Sequence, residues 1–537
     1  MRFRKMRASA VLASALLLGM GPALPAQASA PVAVDDPGGV PGVGGAALFV
    51  DPLSTTLAAA QGLRGQARSD AQLLASIPSA TWLAGGTPQE ARAEADRVVT
   101  AAAKSGTVPV LVAYNLPYRD CALYSAGGAA DTRAYNAWID GVAAGIGKRR
   151  AIVLIEPDGL GVIPFHTTLD GVLDSCRPQG ADPERASDAR FEQLNHAVDV
   201  LSALPSVATY LDGTNAAWLN VGEISSRLVR AGVGRATGFF LNVSNYLYTK
   251  NSNAYGTWVS SCIAYATRVE LGGFKDCGDQ FWNGGPANGW QGVAMSQYGE
   301  WSAGAADPAL DTAGVDSRYA AQLGDVKPTA RFIVDTSRNG IGPWQYPPGV
   351  YPQHEDWCNP PGRGAGQRPT TSTGVDLADA YLWVKVPGES DGQCYRGTAG
   401  PLDPARGIQD PQAGQWFPEQ ARELVANAVP ALAPLTCEVT VTPTGHGASF
   451  SQTLRLRNLG SEAATPWVLS WTFGGDQKVK AVPGATFVQR GAEVSVSARG
   501  RAASLAPGAE TSLVVRGVGA ADAPWQFRLN GAACATR

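Results

Sequence analysis

Five aspartates, Asp120, Asp158, Asp212, Asp335 and Asp391, stand at or just past the C-terminal ends of short apolar runs in this 537-residue chain. Carboxyls that meet in one cleft can divide acid and base work, because two like charges held close resist ionising together and one keeps its proton. Each Asp could instead cap a helix or turn, which is the ordinary use of the residue at such a place. That use is accepted for two of the five. It accounts less well for Asp158, which ends the sequence Glu156-Pro157-Asp158 behind a fully apolar strand. It also fits poorly with Asp391, which belongs to the dense run from Lys385 through Glu389 to Gly392. Other chemistries have less to work with. The four histidines, His166, His196, His354 and His446, are scattered, and no CxxC pair or HExxH motif occurs. The balance of 43 Lys+Arg against 46 Asp+Glu provides no basic field for nucleic acid.

The elements that would position these acids form a repeating pattern from about residue 45 to 430. Strands are expected at Val108 to Tyr114, Ala151 to Glu156, Val207 to Leu211, Arg331 to Val334 and Tyr381 to Val386, each fed by a helical or polar segment. One feeding helix has legible ends. Thr87-Pro88-Gln89-Glu90 supplies an N-cap, a first-turn proline and a capping-box acid, and the helix should run to Lys104 before Gly106 stops it. Alternating strands and helices predict an α/β fold of βα units around a largely parallel sheet or barrel; in a barrel the strand ends converge on one face and would gather the acids there.

The N-terminus reads as an export signal: Arg2, Arg4, Lys5 and Arg7 precede an apolar run from Ala8 to Leu24 and the small-x-small site Ala26-Gln27-Ala28. Residues 1–28 are therefore expected to be removed, leaving a secreted, extracellular product that begins near Ser29. No later run is long and apolar enough to span a bilayer, which argues against a membrane partner. Export makes the eight cysteines candidates for disulfides. The main domain is expected to fill residues 29–430. Near Val429 to Pro434 the chain turns Pro- and Ala-rich, placing a short linker at 431–436. Residues 437–537, bounded by Cys437 and Cys534, alternate as short strands and predict a small all-β sandwich, with strands at Leu454 to Leu456, Val468 to Phe473 and Val494 to Val496.

Three long motifs carry a specific resemblance: Val112 through Tyr114 and Arg119 to Cys121, Ile155 to Asp158, and Trp383 to Gly392. Together with Tyr210 to Gly213, Asn242 to Tyr246, Asp335 to Gly340 and Asp356 to Asn359, they resemble the glycoside hydrolase family 6 cellulases over roughly residues 47 to 430. The resemblance implies a distorted βα barrel, hydrolysis of β-1,4-glucan with inversion, no cofactor, and a monomer. It makes Asp158 the general acid, Asp120 the neighbour that raises its pKa, Asp391 the residue proposed as base, and Asp212 an electrostatic support. It makes Lys385, Glu389 and Asn245 sugar-binding residues, and Tyr114 a residue pressing on the distorted ring. Trp82, Trp218 and Trp357 match the family's sugar-stacking tryptophans; core packing is the competing reading, and it is closest for Trp82.

Two positions depart from the family pattern. Ala126 stands where a serine is expected to hold the catalytic water, with Ser125 one step earlier, and Asn215 replaces a histidine. The same comparison pairs Cys121 with Cys176 and Cys358 with Cys394, which leaves Cys262 with Cys277 and Cys437 with Cys534. The C-terminal segment resembles family 2 carbohydrate-binding modules through Cys437, Trp467 to Thr472 and Phe527 to Gly531. His446, Val482 and Arg501 fall where those modules carry surface tryptophans, while Trp467, Trp471 and Trp525 read as core or edge. Endo action is favoured by the position of Cys394 and by Val221, where exo members add a tryptophan. Exo action and a non-catalytic glycan-binding protein are the alternatives; retention of Asp120, Asp158, Asp212 and Asp391 together argues against the latter.

Overall fold

The computed structural model describes residue 40, residues 45–444 and residues 449–537. The expected export signal and His446 lie outside the described residues. The larger, N-terminal portion is organised by one all-parallel sheet of seven strands: β1 (Thr81–Leu83), β2 (Val110–Ala113), β3 (Ala151–Ile155), β4 (Val207–Asp212), β5 (Gly238–Leu241), β6 (Arg331–Asp335) and β7 (Ala378–Leu382). Spatial order equals chain order, so each strand pairs with the next and the sheet curls in one direction. The curl brings its two ends together: the Ala80 amide donates to the Trp383 carbonyl at 2.9 Å, and the Trp82 indole donates to the Val384 carbonyl at 2.8 Å. The result is the distorted βα barrel that the resemblance implies.

Among the described residues nine helices accompany the sheet: α1 (Thr55–Gly62), α2 (Gly65–Ala75), α3 (Pro88–Lys104), α4 (Thr132–Ile146), α5 (Ala186–Ser202), α6 (Val221–Arg230), α7 (Thr249–Arg268), α8 (Ala313–Leu323) and α9 (Pro418–Ala426). The capping box of α3 forms as read: Thr87 Oγ1 accepts the Glu90 amide at 3.2 Å and Glu90 Oε2 accepts the Thr87 amide at 2.7 Å. Strands β2 and β3 are buried at every position, which is why they are continuously apolar rather than alternating. Two strands escape sequence reading, β1 and β5, which are three and four residues long and lack the longer apolar run, Val108 to Tyr114, that betrays the equally short β2. β7 begins earlier than expected. Its second residue, Asp379, is fully buried, accepts the Tyr210 hydroxyl at 2.6 Å and pairs with Arg331, so a charged residue hides the strand's start.

The C-terminal portion is all β: β8 (Cys437–Thr444), β9 (Ser449–Asn458), β10 (Val468–Thr472), β11 (Lys478–Ala481), β12 (Ala485–Arg490), β13 (Glu493–Ala498), β14 (Glu510–Val518), β15 (Trp525–Leu529) and β16 (Ala532–Thr536). They follow one another in the ladder β11-β14-β9-β8-β16-β15-β10-β13-β12, which wraps around a single core into a near-barrel sandwich. Trp467 and Trp471 are buried in that core, as read. β8 and β16, the first and last strands, pair in parallel with Cys437 opposite Cys534, and a disulfide joins them. The other three disulfides are Cys121–Cys176, Cys262–Cys277 and Cys358–Cys394.

This β portion is seated on the barrel. Trp525 lies edge-on to Phe49 at 5.9 Å and packs on the barrel's apolar cluster, so it is a seam residue. The Thr536 carbonyl accepts from Arg68 at 3.0 Å and from Gln72 at 2.6 Å, both on α2. Short as the linker is, it joins two parts that share a packed boundary. Removing residues 431–537 would bare Phe49 and strip α2 of two hydrogen bonds, so the remaining barrel should melt a few degrees below the full chain in calorimetry. An unchanged melting temperature would mean the seam contributes nothing.

Candidate active site

The C-terminal ends of the parallel strands open into a cleft of about 990 Å³. Trp82, Tyr114, Asp120, Asp158, Trp218, Asn245, Trp357, Lys385, Glu389 and Asp391 all line it. Asp212 lies buried beneath them. The chain bends sharply where it leaves the strands: Asp120, Glu156, Asp158, Thr214, Asn242 and Ser244 all have left-handed backbone angles. Non-glycine residues adopt that conformation at a cost, and such residues concentrate where a structure must aim particular side chains.

Asp158 follows β3 through the turn Glu156-Pro157-Asp158, and both acids of the turn are left-handed. Two buried carboxylates hold this turn. Glu156 accepts the amides of Asn115 at 2.9 Å and Leu116 at 3.1 Å, tying β3 to the loop after β2. Asp212, at the end of β4, accepts the amides of Leu160 at 3.3 Å and Thr214 at 2.9 Å, with the Asp158 and Gly161 amides also directed at it. Burial pushes both carboxyls up to about 7, against the hydrogen bonds that favour their charged forms. Asp158 is pushed well above the usual carboxyl range, first by burial and then by the negative charges of Asp212, Asp120 and Asp391. A carboxyl so placed retains its proton near neutral pH.

Asp120 sits in the loop after β2. Its Oδ2 accepts both the amide and the hydroxyl of Ser125 at 2.8 Å, and burial raises its pKa. The Ser125 hydroxyl also lies 3.1 Å from the Tyr114 hydroxyl. Ser125 therefore places a hydroxyl in the cleft wall one residue before Ala126. Arg119 braces the loop, donating to the carbonyls of Ala84, Tyr114 and Ser125 at 2.9 Å each.

Asp391 has the opposite electrostatics. Burial alone would raise it, but Arg338 at 2.8 Å and Lys385 at 3.6 Å outweigh burial and hold it below the usual range. It also accepts from the Asn359 amide at 3.0 Å and the Tyr246 hydroxyl at 3.2 Å. Lys385 is anchored by the Ser390 carbonyl at 3.0 Å, and Glu389 accepts the Thr55 hydroxyl. Asp335 belongs with the structural acids: it is buried and accepts the amides of Ser244, Ser337, Val384 and Lys385, joining the ends of β5, β6 and β7. Asn245 Nδ2 turns to the Val243 carbonyl at 3.2 Å.

The aromatic rings belong to the cleft lining. Trp357 is 37% exposed. Trp82 is pinned by its indole bond and meets Tyr114 edge-on at 5.3 Å. A Cβ on Gly161 would strike the Trp218 ring at 2.3 Å, so only glycine lets that ring lie over the Asp158 turn. Arg338 and Tyr246 stand in the sequence motifs with no role assigned, and they prove to be Asp391's partners. Arg338 is fully buried. Nothing in a sequence separates a buried arginine from the usual exposed one. The described grouping with metal-ligand spacing, Cys394, Asp403 and Asp410, has its sulfur in a disulfide and Asp403 paired to Arg396.

The chain is similar to known proteins along most of its length. Residues 45–428 match the model for glycosyl hydrolases family 6, and residues 436–534 match that for a cellulose binding domain. Endoglucanase A of Cellulomonas fimi is 31% identical over 381 residues, covering 71% of this chain and 61% of that protein. A probable 1,4-beta-D-glucan cellobiohydrolase C of Aspergillus clavatus is also 31% identical, covering 67% of this chain and 70% of that protein. The solved endoglucanase Cel6 of Mycobacterium tuberculosis, in complex with a thio-cellobioside, is 30% identical with a TM-score of 0.50, covering 72% of this chain and 98% of that one.

The raised carboxyls make stability depend on pH with a definite sign. Asp212 and Glu156, at about 7 when folded, hold protons that an unfolded chain releases near pH 4. The stability they lend is full below that range and is lost as pH rises through about 7. Asp212→Asn should therefore flatten the fall in melting temperature between about pH 4 and 7, by up to about one proton's worth of slope. An identical slope in the variant would mean that Asp212 is not protonated in that window.

Proposed function

The chain belongs to glycosyl hydrolases family 6, and on that premise we propose that it cuts β-1,4-glucan with Asp158 as general acid and Asp391 on the base side. The carrying observation is that one cleft pushes these two aspartates in opposite directions. Asp158 keeps a proton to give to the leaving glycosidic oxygen. Burial keeps it there first, and the negative charges of Asp212, Asp120 and Asp391, each once ionised, add to the effect. Asp391, ionised and held by Arg338 and Lys385, draws the proton from an attacking water on the other face of the sugar, directly or through further waters. Attack from that face inverts the anomeric carbon. Ser125, bonded to Asp120 and beside Tyr114, is suited to hold the water in place of the serine missing at position 126. Trp82, Trp218 and Trp357 offer rings for glucosyl faces, and Lys385, Glu389 and Asn245 offer polar groups for hydroxyls.

Endo action is the favoured mode, supported by the endoglucanase names of relatives such as that of Cellulomonas fimi. One observation favours exo action instead. Tyr124, in the loop after β2, donates to Glu355 at 3.1 Å and accepts the Tyr395 amide at 3.1 Å, which joins three loops beside the cleft. Viscosity against reducing-sugar release separates the two: an early fall in viscosity of a soluble cellulose derivative marks endo cutting. The product is secreted, consistent with the basic and apolar N-terminal run and with four disulfides. The C-terminal domain is a weak binder of crystalline cellulose. Val482, at one of the expected tryptophan positions, is buried in the core. Among its described residues the large exposed apolar side chains are Leu459, Val488 and Val518, none of them aromatic.

Asp158→Asn should lower turnover on glucan by roughly 10²–10⁴-fold. The loss should be much smaller on a glucoside whose leaving group needs no proton. Equal losses on both substrates would remove Asp158 from the acid role, and a product retaining its anomeric configuration would overturn the mechanism as a whole.

Asp120→Asn should move the alkaline limb of the pH–rate profile to lower pH, because Asp158 then loses its proton more easily. A limb that stays in place while the rate falls would show that Asp120 acts in some other way.

A further inference from the structure

The excursion from Cys277 to Gln297, between α7 and α8, carries aromatic residues that none of the roles above uses. Trp282 is 41% exposed and Trp290 54% exposed, and their rings lie nearly parallel, 20° apart with centroids 6.3 Å apart. Exposed tryptophans held in a fixed pair are uncommon on a protein that has no use for them.

The pair is built into a rigid frame. Cys277 ties the start of the excursion to α7 through Cys262. Asp279 Oδ1 accepts the amides of Phe281 at 2.7 Å and Trp282 at 3.2 Å, and the Asn283 amide donates to the Val293 carbonyl at 3.0 Å. Trp282 rests on glycines: a Cβ at Gly284 or Gly292 would strike its ring at 2.3 Å or 2.6 Å. Trp290 is held at φ 62°, a conformation that a bulky residue adopts only when the surroundings impose it. The Arg318 guanidinium lies about 6 Å from both ring centroids.

The frame also joins the cleft at two points. Gln280 Nε2 donates at 2.9 Å to the carbonyl of Leu219, the residue after Trp218. At the other end Gln297 is itself part of the cleft wall. Val221, meanwhile, is fully buried and offers no ring beyond Trp218.

We propose that Trp282 and Trp290 form an outer platform that holds a β-1,4-glucan chain where it leaves the cleft past Trp218. The proposal rests on the glucanase reading above and adds a binding site to it. The ligand is an extended, uncharged glucan whose apolar ring faces cover exposed indoles, which suits a platform of two rings with polar neighbours.

The test uses the full chain carrying Trp282→Ala with Trp290→Ala, and separately Trp282→Phe with Trp290→Phe. Mobility in native gels containing hydroxyethylcellulose reads binding in an Asp158→Asn background, so the result does not depend on turnover. Kinetics on the same polymer and on cellotetraose read function. The alanine pair should weaken retention and raise KM on the polymer roughly five- to tenfold, leaving kcat on the polymer and kcat/KM on cellotetraose within about twofold. The phenylalanine pair should recover most of the affinity. Unchanged retention, or an equal loss on cellotetraose, would overturn the platform. Failure of the wild type to cleave either substrate would fault the glucanase reading alone, and the gel would still decide the platform.

Discussion

The site depends on the Asp212 carboxylate buried at the end of β4. It accepts backbone amides from the Asp158 turn and from its own loop, so it sets where the Asp158 side chain stands. Its charge, with those of Asp120 and Asp391, also opposes ionisation of Asp158. Asp212 thus sets the position of Asp158 and, after burial, contributes to its protonation state. Burial of an acid in this way is costly unless backbone donors or paired cations compensate it, and the ends of β2 to β7 supply both.

Compensation is distributed unevenly, and that unevenness separates the two key aspartates. Asp391 has a buried arginine, a lysine, an amide and a tyrosyl hydroxyl around it, which together stabilise its charge. Around Asp158 the electrostatic neighbours are carboxylates. Two residues of the same type in one cleft are driven to opposite protonation states by what surrounds them, which is the condition for acid and base work at a single pH. Glu156 and Asp335 serve the same cleft without facing it, since each spends its oxygens on amides that join neighbouring strand ends.

The C-terminal β portion is tied to this arrangement more closely than its linker suggests. Trp525 and the Thr536 carbonyl meet Phe49 and α2, so that portion completes the barrel's surface as well as closing its own core. With Val482 inside that core, its aromatic content is committed to packing, and the paired exposed tryptophans lie instead on the catalytic portion.

The linear order of residues determined a good deal. Apolar runs bounded by capping signals marked β2, β3, β4, β6 and α3, because burial on both faces and helix-end hydrogen bonding leave local patterns. The family resemblance picked out Asp120, Asp158 and Asp391 and the ring positions that line the cleft, and it implied all four cysteine pairs. β1 and β5 were short and lacked a longer apolar run to betray them, and Asp379 disguised the start of β7. What only the tertiary structure decided is which charges face which. Arg338 and Tyr246 reach Asp391 from the loops after β6 and β5, Ser125 reaches Asp120 across a turn, and Trp525 finds Phe49 across the chain. Apart from Ser125 with Asp120, such pairings join residues distant in sequence, and whether an arginine is exposed or sealed against a carboxylate depends on the closure of the barrel, which leaves no local trace.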